Sequence, residues 1–136
     1  MGMLARIGLA LIAVQRGDAQ AAGALYAALE PQRGTACAFI PMALDRLLGL
    51  LAVTVGRPDT AVAHFEDALA VCGRAGYRPE CAWTACDYAD MLLERAGAGD
   101  RRKAVALLDD ALTVARDLGM RPLMERVLAR REIPKA

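Results

Sequence analysis

The stretch DALAVCGRAGYRP, Asp67 to Pro79, returns as DALTVARDLGMRP, Asp110 to Pro122, with seven of thirteen positions identical at a shift of 43 residues. Repetition at this period marks stacked supersecondary units, each too small to bury its apolar face alone, so that neighbours complete the core. Around both copies apolar residues recur at three and four positions, and Ala, Leu, Arg and Glu dominate, which predicts helices. Gly and Pro cluster at Gly17-Asp18 and at 31–34, 56–59, 73–79, 97–100 and 119–122, cutting the chain into seven helical stretches. The expected architecture is all-α: three antiparallel hairpins, over 1–34, 35–76 and 77–119, and a capping helix over 120–133, in a single domain spanning 1–136.

Small and large residues follow one order in the second helix of each hairpin. Ala21, Leu25, Ala28 and Leu29 are matched by Ala61, Phe65, Ala68 and Leu69, and then by Ala104, Leu108, Ala111 and Leu112. The shared offsets of four, seven and eight define one helix face, with alanines where a neighbour comes close and a bulky residue where space must be filled. Gly17, Gly56 and Gly99 precede the three runs, and Asp18, Asp59 and Asp100 stand where an acid can accept the unpaired amides of a helix start.

This pattern resembles the second helix of a tetratricopeptide repeat, and Leu48-Gly49 stands where that family places a Leu-Gly pair at the closest approach of its two helices. Tyr88-Ala89 takes the same role in the third unit, while the first unit fits worst, with Gly8 one residue out of phase. Units recur after 40 and 43 residues (Ala21, Ala61, Ala104), against about 34 in the standard repeat. The long period is similar to the degenerate repeats at the C-terminal end of large bacterial signalling proteins. That likeness is carried by RLLGLLAVTVGRPDTAVAHFEDALAVCGRAGYRPE, CDYADMLLERAGAGDRRKAVALLDDALTVARDLGM and LYAALEP. Such proteins join an ATPase module to a nucleotide cyclase or to a LuxR-type helix-turn-helix. The resemblance implies a right-handed superhelix of antiparallel helix pairs, and it carries scaffold residues rather than catalytic ones.

It also implies a groove, because the first helices of such arrays line the concave side. Transferred through Gly49 and Ala89, the groove positions are Arg46, Leu50, Val53 and Thr54 in the second unit and Trp83, Cys86, Asp90 and Glu94 in the third. Trp83, the sole tryptophan, beside an acidic pair makes an anchor for a basic or apolar peptide.

Catalytic chemistry finds no foothold. The chain has one histidine, His64, and no serine, so a Ser-His-Asp set cannot be built, and His64 is read as a solvent-facing or helix-boundary residue. Gly97-Ala98-Gly99-Asp100 lacks the Lys-Ser or Lys-Thr of a phosphate loop and is read as a turn. Asp87, Asp90 and Glu94 are read as a solvated helix face before they are read as a metal site. Cys37, Cys72, Cys81 and Cys86 lack close C-x-x-C spacing and are read as buried thiols of a reducing, cytoplasmic compartment. No metal and no cofactor is expected. With a formal net charge of +1, nothing recommends direct contact with nucleic acid or an anionic membrane.

The charges are unevenly placed: residues 1 to 58 hold eight and the remainder 25. Gly2 to Val14 is apolar nearly all round, with Arg6 its single charge; it is too short to span a bilayer, and its continuation to Leu29 fits the repeat, which argues against a secretory leader. Leu4, Ile7, Leu11 and Ile12 are therefore expected to form an interface, covered by preceding domains of the same polypeptide or by a second copy in a homodimer. At the other end Leu123, Met124, Val127 and Leu128 give the last helix one apolar side, with Arg126, Arg130 and Arg131 around it, the pattern of a cap. The expected function is non-enzymatic: a module that binds a protein or peptide, or relays a signal, within a bacterial regulator. The alternative is a small-ligand sensor with its pocket near Trp83, Asp90 and Arg46.

Overall fold

A computed structural model describes residues 1–37 and 42–132, the side chain of Glu132 excepted. Its described residues form seven α-helices: α1 (Met3–Arg16), α2 (Ala19–Leu29), α3 (Leu44–Val55), α4 (Pro58–Ala75), α5 (Arg78–Arg95), α6 (Asp100–Leu118) and α7 (Arg121–Glu132). The chain divides into two compact units, Met1–Val71 and a second beginning at Cys72, the boundary falling inside α4.

The helices end where glycine lets them. At Gly56 the backbone turns left-handed (φ +85°), the Gly56 amide donates to the Val53 carbonyl (3.0 Å) and the Arg57 amide to that of Ala52 (2.8 Å). This closure satisfies carbonyls that the helix leaves unpaired. The same long-range bond recurs as Asp18 to Ala13 (2.9 Å), Tyr77 to Cys72 (2.9 Å) and Met120 to Ala115 (2.8 Å). α5 ends instead on Ala96, left-handed without being glycine (φ +52°), whose amide donates to the Leu92 carbonyl (2.9 Å). Asp18 caps α2 as expected, its Oδ1 accepting the Ala21 amide at 3.0 Å. Asp100 faces back across its turn, accepting Gly97 N (2.9 Å) and both Nε and Nη2 of Arg95 (2.8 Å each). The Arg95 hydrogen bond holds its carboxyl below the usual range despite desolvation, helped by the Gly97 amide and the Arg95 charge.

One segment departs from an all-helical reading. A single 3-10 turn (Glu30–Gln32) follows α2, and β1 (Ala36–Cys37) pairs antiparallel with β2 (Met42–Ala43), Ala36 opposite Ala43 and Cys37 opposite Met42. A helix running on from residue 35 would need an amide at Pro41, which proline does not have. The chain makes a short ribbon instead, and α3 starts at Leu44, whose amide donates to the Thr35 carbonyl at 3.0 Å.

In the first unit Ile7, Ala10 and Ala13 of α1, Ala22 and Leu29 of α2, and Leu44, Leu47, Leu48 and Leu51 of α3 form one buried cluster. Gly49 meets the buried Phe65 of α4 so closely that a Cβ at 49 would lie 2.8 Å from the Phe65 ring. That is the close approach which the Leu48-Gly49 pair announces. In the second unit Tyr88 and Ala89 of α5 are buried, as are Ala104, Leu108, Ala111 and Leu112 of α6 and Leu123 and Val127 of α7. Cys72 and Cys81 are joined as a disulfide, their Cα atoms 5.7 Å apart, while Cys37 and Cys86 are free thiols. This corrects the reading of four separate thiols: the turn at Gly76-Tyr77 folds the end of α4 against the start of α5 and brings together cysteines nine residues apart.

Candidate functional site

Among the described residues three places gather candidate functional side chains, and the first is the outer side of α1. Leu4 (49 % exposed), Leu9, Leu11 and Ile12 stand out from this helix, and a cleft of about 330 Å³ runs between α1 and α2, lined by Leu9, Ile12, Ala13, Arg16, Asp18, Ala21, Ala24 and Leu25. Ile7 does not belong to this face; it is 2 % exposed and lies in the unit's own core with Ala10 and Ala13. A helix apolar all round does not declare its inward stripe, and here the alanines decide it, because they let α1 approach its neighbours closely. Leu9, outside the four expected interface residues, is 42 % exposed and lines the cleft with Ile12.

The second place is a buried polar network in the same unit. His64 is 5 % exposed, which corrects its reading as a solvent-facing or helix-boundary residue. Its Nδ1 lies 3.0 Å from Asp45 Oδ1 and its Nε2 2.7 Å from the Tyr26 hydroxyl. A carboxylate only accepts, so Nδ1 carries the hydrogen; with the ring neutral Nε2 accepts from Tyr26, and with the ring protonated it donates to the Tyr26 oxygen. Asp45, 2 % exposed, receives the Gly34 amide on Oδ2 at 2.7 Å. The rings of Tyr26 and His64 meet edge to face with centroids 5.5 Å apart. Burial above all, then the charge of Glu30, raises the Tyr26 phenol above its ordinary value, while Arg57 and Arg33 pull the other way. The four groove positions of this unit, Arg46, Leu50, Val53 and Thr54, are half-buried along α3, with the Thr54 hydroxyl donating to the Leu50 carbonyl at 2.9 Å.

The third place lies in the second unit, where α7 meets α5. Arg126 Nη2 donates to Asp87 Oδ1 (2.7 Å) and Asp90 Oδ2 (2.9 Å), and its guanidinium stands 5.8 Å from the centre of the Trp83 ring. Arg130 Nε donates to Asp90 Oδ1 at 2.7 Å. Burial works against the Arg126 charge, but the Asp87 charge and the hydrogen bonds that Arg126 donates to Asp90 and Asp87 raise its proton affinity above the ordinary arginine value. The acidic-aromatic anchor is thus met by arginines of the chain's own last helix, and Asp87, 6 % exposed, is no solvated face. Cys86 does not line a surface at all: it is fully buried, and burial pushes its thiol up to about 11, with Asp90 and Asp87 adding to this and Arg126 and Arg130 opposing it. Glu94 remains exposed at the edge of a cleft of about 380 Å³ lined by Asp90, Leu93, Glu94 and Arg130.

The α5 carboxylates could have been matched to α7 from sequence, since Asp87 and Asp90 are three apart on one helix and Arg126 and Arg130 four apart on another. The network at His64 left no such trace. Its partners lie 19 and 38 residues away.

The tetratricopeptide-repeat family profile matches residues 40–117. Together with the hairpins and the Gly49–Phe65 approach, this settles the class, and the chain belongs to the tetratricopeptide-repeat family. Searches of curated proteins and of solved structures gave no match to the chain. Tetratricopeptide repeats serve generally as scaffolds for protein–protein interaction. Among the described residues no helix is long and apolar enough to cross a membrane.

Proposed function

We propose that the chain is a non-enzymatic docking module of a bacterial regulator and that it docks through the outer face of α1 and the α1–α2 cleft. The observation that carries this is the set Leu4, Leu9, Leu11 and Ile12, each about 40–50 % exposed, of which Leu9 and Ile12 line the cleft together with Ala21 and Leu25. Exposed large apolar side chains gathered on one helix mark an interaction site, and their burial contributes about 25 cal/mol per Å². In the isolated chain the occupant is a second copy; in a longer polypeptide it is the preceding domain. The long repeat period supports the regulator context, where such modules relay signals between domains. A cytoplasmic setting belongs to the same proposal and would leave Cys72 and Cys81 a reducible pair.

The groove assigned to Arg46, Leu50, Val53, Thr54, Trp83, Cys86, Asp90 and Glu94 has less support. Cys86 is buried and the arginines of α7 hold Asp90, so a basic peptide would have to compete with residues 126 and 130. The small-ligand alternative is weaker again, because the cleft beside Asp90 is walled by charged Glu94 and Arg130 rather than by the apolar lining that such pockets favour. Leu11→Asp tests the leading reading. Light scattering should show a self-associating wild type and a monomeric, folded variant; an unchanged mass and thermal stability would sink it.

A further inference from the structure

We propose that Tyr26 is a covalent acceptor site, a phenol served by His64 as general base and by Asp45 as the residue that orients it, which takes the acyl group of a small activated acyl donor. This is separate from the docking role and does not rest on it. The three side chains come from α2, α4 and α3 and stand in the order nucleophile, base, orienter, at 2.7 Å and 3.0 Å. That order, each member within hydrogen-bond reach of the next, is the signature of an activated nucleophile. Burial is graded along it. Asp45 and His64 are 2 % and 5 % exposed, while Tyr26 is half-buried and keeps part of its surface in solvent. The Gly34 amide on Asp45 Oδ2 holds the carboxylate in place, so the imidazole is fixed from behind and presents Nε2 to the phenol.

In the step envisaged, Tyr26 Oη attacks the acyl carbon and forms the C–O bond while its proton passes to His64 Nε2. Asp45 stabilises the imidazolium. The intermediate then collapses, the bond to the leaving group breaks with its electron pair, and the leaving group takes the proton back from Nε2. The product is an O-acyl tyrosine, with no change of oxidation state and a neutral histidine restored. Burial and Glu30 raise the proton affinity of this phenol, so without its base Tyr26 would react more slowly at neutral pH than an open tyrosine. Rapid reaction therefore reports on His64.

The chain carries its own references, since Tyr77 is 48 % exposed and Tyr88 is 1 % exposed. The intact protein is treated with N-acetylimidazole at neutral pH, and acetylation of each tyrosine is followed by peptide mass spectrometry. General-base assistance is worth roughly 10²–10⁴-fold in enzymes, and a half-buried acceptor should show at least about tenfold for Tyr26 over Tyr77, with Tyr88 unreacted. His64→Gln should bring Tyr26 below Tyr77, and Asp45→Asn should slow it as well, with Tyr77 constant throughout. A wild-type Tyr26 no faster than Tyr77 overturns the proposal, as does a folded His64→Gln protein that keeps the wild-type Tyr26 rate. If His64→Gln does not fold by circular dichroism, Asp45→Asn decides on the same terms, and if neither folds the wild-type ratio decides alone.

Discussion

In α6, Ala104, Leu108, Ala111 and Leu112 are all buried, whereas at the same offsets in α2 Leu29 is buried, Ala21 and Leu25 are half-buried beside a cleft, and Ala28 is exposed. The residue types are identical at all four positions, so the difference lies in what each face packs against. The face in α6 is covered by α5 and α7, which pack on it. Its repeat is also closed by the Cys72–Cys81 link at one end and by the Arg126–Asp87–Asp90 cluster at the other. In the first repeat the matching face is met by α1 and α3, and part of it remains open. A repeat face is therefore an invitation to pack, and its burial depends on the neighbour.

The comparison breaks most readily at the two equivalent alanines. Ala111→Asp places a carboxylate in a fully buried position and should cost about 4 kcal/mol or more, enough to unfold the second unit. Ala28→Asp, on an exposed position, should stay within about 0.5 kcal/mol. Urea titrations of the two variants measure both, and equal losses would erase the contrast between the repeats. Next in size is the disulfide. Under denaturing, non-reducing conditions thiol titration should find two free cysteines, and reduction should lower stability by about 2–3 kcal/mol, as expected for a short closed loop. Four thiols without reductant would return the second unit to non-covalent closure. A loss somewhat smaller than the disulfide's is expected at Arg126→Ala. Removing it strands Asp87, whose side chain is 6 % exposed, and after allowing for the 30 % exposure of the arginine side chain the loss should be about 2 kcal/mol. A loss near zero would mean that Arg126 adds nothing to the hold that Leu123, Val127 and the Arg130–Asp90 pair keep on α7.

Seven helices, their turns and the repeated face were legible because each rests on local chemistry: glycine at left-handed positions, acids at helix starts, apolar spacing of three and four. The ribbon at Ala36–Cys37 and Met42–Ala43 was less so, since a two-residue pairing has no periodicity to read. The candidate sites depended on contacts between distant residues. Asp90 looked like a binding acid because the arginines that satisfy it lie 36 and 40 residues on, and they had been read as the outer face of a cap. His64 looked solvent-facing because its helix spacing does not reveal Asp45 or Tyr26. Ile7 could not be told from Leu4 or Leu11 while every side of α1 was apolar.

The central claim is that the open face of the first repeat is an interface, and hydrogen–deuterium exchange of the unmodified protein over a range of concentrations tests it most directly. Amides of α1 should become progressively better protected as concentration rises, while those of α5 and α6 stay constant. Exchange in α1 that is fast and independent of concentration would contradict the claim for the isolated chain.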